Sequence, residues 1–380
     1  AMRAALILIA SVGTAAAQDS TQAIQFSTTP LHVFEQGARL YAGARVSKAY
    51  VFARSSGLSA HTAGDSGRTP TGLAARLETT GPHGIAVGVA VEGFVSLNST
   101  DGMRFEGDRR VFDGDIRRAE AAIAHRLGGA LRLGYGPMAT EGVLESDLSG
   151  TQVATGVDLT LIGGDFSFDE STTGAAGGRV RYADAALDAD GLGRDLRARW
   201  WKAFDGGFRA DAAVDWRGDF DLAVRYRTPA RDGWRFAGAF GYADGVESPR
   251  NGDGSLWSLS ASVRAPWETS LTFAAAAPDP IRPLFRARSS SEFYYYAKIG
   301  QAFDIFGFGE TAVSFDYGFT QWRRRVREDV ERYGVAVTQS LFDDRLALFA
   351  TLHTSDLDEA VEDSVVDELQ VFSTGFRLRY

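Results

Sequence analysis

The sequence predicts an all-β chain, a transmembrane antiparallel β-barrel of about 16 strands, and three observations carry that prediction. Segments of about ten residues, alternating large apolar with polar side chains, recur along most of the 380 residues. The links between them alternate short and long. The last segment, Glu368 to Tyr380, puts Phe372, Thr374, Phe376, Leu378 and Tyr380 on one face. Ser373, Gly375, Arg377 and Arg379 fall on the other, because strand side chains point to alternate sides. It also runs into a terminal aromatic ring, where chain ends ordinarily fray.

At the other end, Met2 and Arg3 precede an apolar run from Ala4 to Val12, followed by Ala15-Ala16-Ala17. A charged start, a short apolar core and small residues are the parts of a secretory signal. Residues 1–17 are therefore expected to be a signal peptide, 18–36 a polar lead-in and 37–380 the barrel. No later run of about 18 apolar residues occurs, so an exported chain that enters a membrane does so with strands. Cysteine is absent, which excludes disulfides and thiolate metal sites. A formal charge of -9 leaves no basic surplus for a nucleic-acid partner.

Taken in order, Leu40, Ala42, Ala44 and Val46 alternate with Arg39, Tyr41, Arg45 and Ser47. Leu73, Ala75 and Leu77 oppose Arg76 and Glu78, and Ile85, Val87, Val89 and Val91 oppose Gly88 and Glu92. The pattern returns over 208–217, 221–227, 257–264 and 310–319. A soluble sandwich would have to cover each apolar face with a second sheet. Lipid outside and water inside accommodate the whole series. Trp200, Trp216, Trp234, Tyr242, Trp257 and Tyr380 fall near strand ends on the apolar face, where headgroup-level girdles form.

Short links are expected at 81–84, 128–129, 204–207, 230–233, 266–268, 304–309 and 342–345. Long polar ones are expected at 54–71, 98–115, 244–254, 278–290, 321–328 and 356–366. Gly218-Asp219 is a tight link where the alternation asks for a long one. Residues 178–185 also read as a strand, which would make the count odd. Either they fold back within the longest link, 137–194, or a neighbouring strand is false.

Several stretches resemble the Gram-negative general-diffusion porins. Leu40-Tyr41-Ala42-Gly43-Ala44-Arg45-Val46-Ser47-Lys48 is similar to their opening strand, and Thr71 to Glu78 with Gly84-Ile85 to their first hairpin. Gly129 to Gly136 and then Glu141 to Gly150 resemble the fifth strand entering the third loop, and Gly177 to Tyr182 the strand after it. The terminal ring resembles the assembly signal of outer-membrane barrels. The resemblance implies an outer-membrane homotrimer of 16-stranded barrels with an inward-folded long third loop, embedded in lipid and passing small hydrophilic solutes and ions.

A pore works by geometry and field. If the longest link folds inward, Glu141, Glu145, Asp147 and Asp158 would face a cationic wall of Arg45, Arg76, Arg118 and Arg132, with Arg197 and Arg199 as second choices. No cofactor is expected. Ca²⁺ among the loop carboxylates is the one exception, and no twelve-residue calcium loop supports it. Two alternatives stay open. One is a barrel-embedded hydrolase using His61 near Asp65 or His353 near Asp356. The other is a plugged structural or substrate-specific barrel.

Overall fold

The structure is a computed structural model that describes residues 24, 26, 30–34, 37–55, 58–66, 68–97, 112–125, 127–157, 167–168, 180–181, 192–228, 233–248, 252–278, 293–305, 307–323, 327–359 and 368–380. Sixteen antiparallel strands close on themselves. They are β1 (Arg39–Ser55), β2 in two parts (Leu58–Asp65 and Gly72–Thr80), β3 (Ile85–Leu97), β4 (Phe112–His125) and β5 (Gly129–Pro137). After the longest link come β6 (Arg194–Ala203), β7 (Phe208–Asp215), β8 (Phe220–Arg227), β9 (Arg235–Ser248), β10 (Gly252–Arg264) and β11 (Thr269–Pro278). The series ends with β12 (Phe293–Phe303), β13 (Thr311–Arg323), β14 (Arg327–Leu341), β15 (Leu346–Glu359) and β16 (Leu369–Arg379).

Neighbours in sequence are neighbours in the sheet, and β16 pairs with β1 from Arg45↔Arg379 to Arg54↔Gln370. The seam is finished by Tyr380 N–H donating to the Ala44 carbonyl at 2.9 Å and Ala44 N–H donating to the Tyr380 carbonyl at 3.1 Å. A closed sheet has no unpaired edge, which is what a strand-built object needs in a medium without water.

The two faces fall as the alternation requires. Val214 and Phe376 are 44% and 37% exposed on the outside, while Arg45 and Arg209 are 2% and 5% exposed on the inside. The outer wall carries Leu73, Val89, Leu133, Leu222, Phe240, Ile299, Phe315, Val335 and Leu352 in contact with the surroundings. Such a belt is unfavourable in water and favourable in hydrocarbon, at about 25 cal/mol per Å². Trp200, Trp216, Trp234 and Tyr380 are exposed on it. Trp267 meets Trp234 edge-on at 5.5 Å, and Tyr242 meets Trp257 at 4.6 Å.

Link lengths depart from expectation where strands are longer than the alternation suggests. Within the expected link 54–71, Leu58–Asp65 instead forms a strand paired antiparallel with the far half of β1. β2 is interrupted after Asp65 and resumes at Gly72 beside the near half of β1. The tight link at Gly218-Asp219 is real: the Asp215 carboxylate accepts from the amides of Arg217 and Asp219, both at 2.9 Å. Among the described residues Val180–Arg181 pairs only with Ser167–Phe168, and β5 pairs directly with β6. The segment likened to the strand after the third loop is thus a fold-back within the link. The barrel strand there is Arg194–Ala203, and the count stays even.

Candidate functional site: a charged lumen

Residues 138–157 turn away from β5 and lie against the polar side of the wall. Asp221 on β8 anchors the entry, accepting from Ala139 N–H (3.0 Å), Thr140 N–H (2.7 Å) and the Thr140 hydroxyl (2.6 Å). Met138, Ala139 and Val143 pack on the small side chains Ala213, Ala223 and Ala239. Further along, the Ser260 hydroxyl donates to the Val143 carbonyl. The Ser262 hydroxyl accepts from Leu148 N–H at 3.0 Å. Gly300 makes room, since a Cβ there would stand 2.8 Å from Ser149 Cβ. Leu144, Val153, Ala154 and Val157 join a cluster with Tyr294, Tyr296, Leu256 and Phe349 inside the barrel.

Lys298 on β12 is the polar hub of this segment. Its Nζ donates to Asp147 at 2.7 Å, the Thr155 carbonyl at 3.1 Å and Thr151 Oγ1 at 3.2 Å. Burial pushes the Asp147 carboxyl up, but the Lys298 ammonium and the hydrogen bonds from Lys298 and Ser149 win and hold it below the ordinary carboxylate value. Thr155 Oγ1 donates to Asp316 at 2.8 Å and lies 3.2 Å from His353 Nε2. Arg68, in the interruption of β2, reaches the Gln152 carbonyl at 2.6 Å. The segment is thereby held at its entry, along its length and near its far end.

The predicted cations Arg45, Arg76, Arg118, Arg132, Arg197 and Arg199 all face inward and are buried. Three of them converge on Glu120: Arg197 at 2.8 Å, Arg132 at 3.3 Å and Arg118 at 3.6 Å. Arg199 instead shares Asp211 with Arg209 and Arg225, at 2.8, 2.6 and 2.9 Å. Arg76 lies 3.2 Å from Glu78, and Arg45 donates to the Pro70 carbonyl at 2.7 Å. Of the predicted loop acids, Glu141 pairs with Arg117 and Asp147 with Lys298. Glu145 lines a lumenal cavity of about 380 Å³ together with Arg209, Arg225, Arg377 and Arg379. Asp158 lies outside the described residues.

Sequence reasoning missed Arg117, Glu92, Glu120, Asp211 and Lys298. Arg117 had a visible signal. Strict alternation would send one of Arg117-Arg118 into lipid, at a cost of about 2–4 kcal/mol near the midplane. A bulge resolves the conflict: Glu92 pairs with Arg118 and Gly93 with Ile116, so the extra residue lets both arginines point inward. Arg117 and Arg118 then reach Glu92 at 3.3 and 3.6 Å. Deep in the wall, seven buried guanidiniums (Arg117, Arg118, Arg132, Arg197, Arg199, Arg209, Arg225) share four buried carboxylates (Glu92, Glu120, Glu141, Asp211), while Arg194 and the more exposed Arg217 pair with Asp115, Asp195, Asp215 and Asp219.

The His–Asp pairs considered for hydrolysis are split by the strands. His353 is buried against the loop while Asp356 faces outward; His61 faces outward while Asp65 is buried against Lys48 and Thr71. Among the described residues no three potential ligands converge on a metal position, and the Asp147 carboxylate offered for Ca²⁺ is engaged by Lys298.

A closed 16-stranded antiparallel barrel with an apolar belt and an ionic interior is the porin type of fold. The anion-selective porin from Comamonas acidovorans is similar over 90% of this chain and 100% of its own, with a TM-score of 0.60 at 14% identity. OmpT of Vibrio cholerae is similar over 93% and 100%, with a TM-score of 0.57 at 11% identity. Salmonella typhi OmpF, in complex with daunomycin, follows at 92% and 99%, with a TM-score of 0.52 at 12% identity. No protein-family model matches the chain, and no curated protein matches it by sequence. The chain therefore shares the fold of these porins at 11 to 14% sequence identity.

Proposed function

We propose that this protein is an outer-membrane porin of a Gram-negative bacterium, a non-enzymatic, water-filled channel through which small hydrophilic solutes and ions diffuse passively. The observation that carries the reading is the inside-out distribution of the barrel: an aliphatic and aromatic exterior around a lumen lined by arginines and carboxylates. An interior this ionic is tolerable only if it is wet or fully paired. The loop acids and the arginine wall shape the constriction, and among the described residues buried arginines modestly outnumber buried carboxylates, a balance that favours anions. The likeness to an anion-selective porin points the same way.

A homotrimer fits the outer face. Ala42, Ala44 and Ala75 face outward, and from Leu73 to Ile123 the described outward strand residues are aliphatic, alanine or polar, with no aromatic ring to seek headgroups. A depression of about 470 Å³ bounded by Leu77, Val87, Ala121 and Leu133 lies in that sector. The deciding experiment is reconstitution in planar bilayers under a potassium chloride gradient. Stepwise ohmic currents with a reversal potential displaced toward the chloride equilibrium potential are expected. A barrel that inserts without conducting would defeat the proposal.

A further inference from the structure

The lumen already holds a piece of this chain. Ile24 precedes the first barrel strand, yet it is 4% exposed and packs with Ala74 and Phe94 on the inner face of β2 and β3. Its amide donates to Glu92 Oε1 at 2.7 Å, on the carboxylate that Arg117 and Arg118 also use. Gly72 supplies the space: a Cβ there would stand 2.8 Å from Ile24 Cδ1. Two residues on, the Phe26 ring centre lies 5.0 Å from the Arg76 guanidinium, which also faces Tyr41 at 4.6 Å. Phe26 closes a small crevice lined by Arg118, Glu120 and Arg132.

We infer that the inner face of β2 and β3 is a built binding site for an apolar peptide segment, that Ile24 and Phe26 of the same chain occupy it, and that this occupant narrows the conducting path beside the arginine wall. Apolar contacts, one charge-assisted backbone hydrogen bond and a cation–π contact make the site specific for an apolar residue followed two positions later by a ring. The occupant covers Arg76 and one edge of Glu92, groups that would otherwise meet passing ions. Its effect on conduction rests on the porin reading; its place in the lumen does not.

The absence of cysteine makes the test direct, because one introduced thiol is the only one present. In folded, detergent-purified protein, Ile24→Cys is expected to react with 2-sulfonatoethyl methanethiosulfonate about tenfold or more slowly than Leu31→Cys, since reaction waits on opening of the packed segment. Leu31 is 64% exposed and serves as the open reference. Equal rates would overturn the placement whether or not the barrel conducts. In bilayers, the double variant Ile24→Gly with Phe26→Gly should raise single-channel conductance by roughly 1.2- to 2-fold, as a lumen freed of its occupant widens. Unchanged conductance in an otherwise conducting channel would overturn the narrowing, while silence of the unmodified protein would count against the porin reading instead.

Discussion

At the scale of single residues, the lumen is governed by which carboxylate each arginine reaches. Glu120 sits among Arg118, Arg132 and Arg197. Removing its charge leaves three buried guanidiniums without that centre, a loss of roughly 3–5 kcal/mol by comparison with broken buried pairs. Glu120→Gln should lower the thermal unfolding temperature and move the reversal potential further toward chloride. Asp147 gives a pH dependence. Its docked carboxyl titrates below the ordinary value of about 3.9, so the docking it contributes is complete above that value and is lost as pH falls through the lower, docked one. Hydrogen exchange at Ser149 and Thr151 should therefore be slow and flat from pH 5 to 8 (roughly constant once intrinsic rates are divided out) and should accelerate in stronger acid; Lys298→Met should exchange fast at all of these values. The six predicted arginines were legible because alternation alone assigns a face. Their partners were not, because register across strands decides whether Arg199 meets Glu120 or Asp211.

Among the elements, the segment 138–157 is the one whose position is most exposed to packing changes. Gly300 lies directly under Ser149, and Gly241 under Thr140 and Val143, where a Cβ would come within 3.0 and 3.1 Å. Gly300→Val should push the segment off β12 toward the pore axis, at about 1–3 kcal/mol of overpacking. Reduced conductance with an intact, heat-modifiable barrel is the expected outcome. Normal conductance would mean that the wall and the segment are less tightly coupled than Lys298 and Asp221 imply. The inward path of this link was readable only as a consequence of family likeness; composition gave its length and acidity. The strand Leu58–Asp65 was hidden because it has no strong alternation, and Val180–Arg181 misled because a fold-back has the same period as a barrel strand.

For the whole molecule, strand number, closure and the orientation of both faces followed from the sequence, since each repeats a dozen times and errors average out. The lumenal position of Ile24 and Phe26 did not, although two apolar residues spaced two apart in a polar stretch were a faint signal. The aliphatic sector over β2 to β4 predicts how copies meet. Ala121→Arg, placed in that sector, should shift the protein to monomers on seminative gels while each barrel remains folded; retention of the larger species would locate the contact elsewhere.

The seam has a consequence for biogenesis. Ala44 and Tyr380 are bonded to each other, so the final pairing joins regions separated by nearly the entire polypeptide. Loop-closure entropy grows only logarithmically with length and does not forbid this, but such distant pairing is slow and leaves β1 with a bare edge in the interim. In the proposed outer-membrane setting, delivery across the inner membrane would have to be finished before enclosure begins. On the same reading, the apolar strand faces would need shielding from water until then, and a truncation that removes Tyr380 would take away one closing pair of hydrogen bonds.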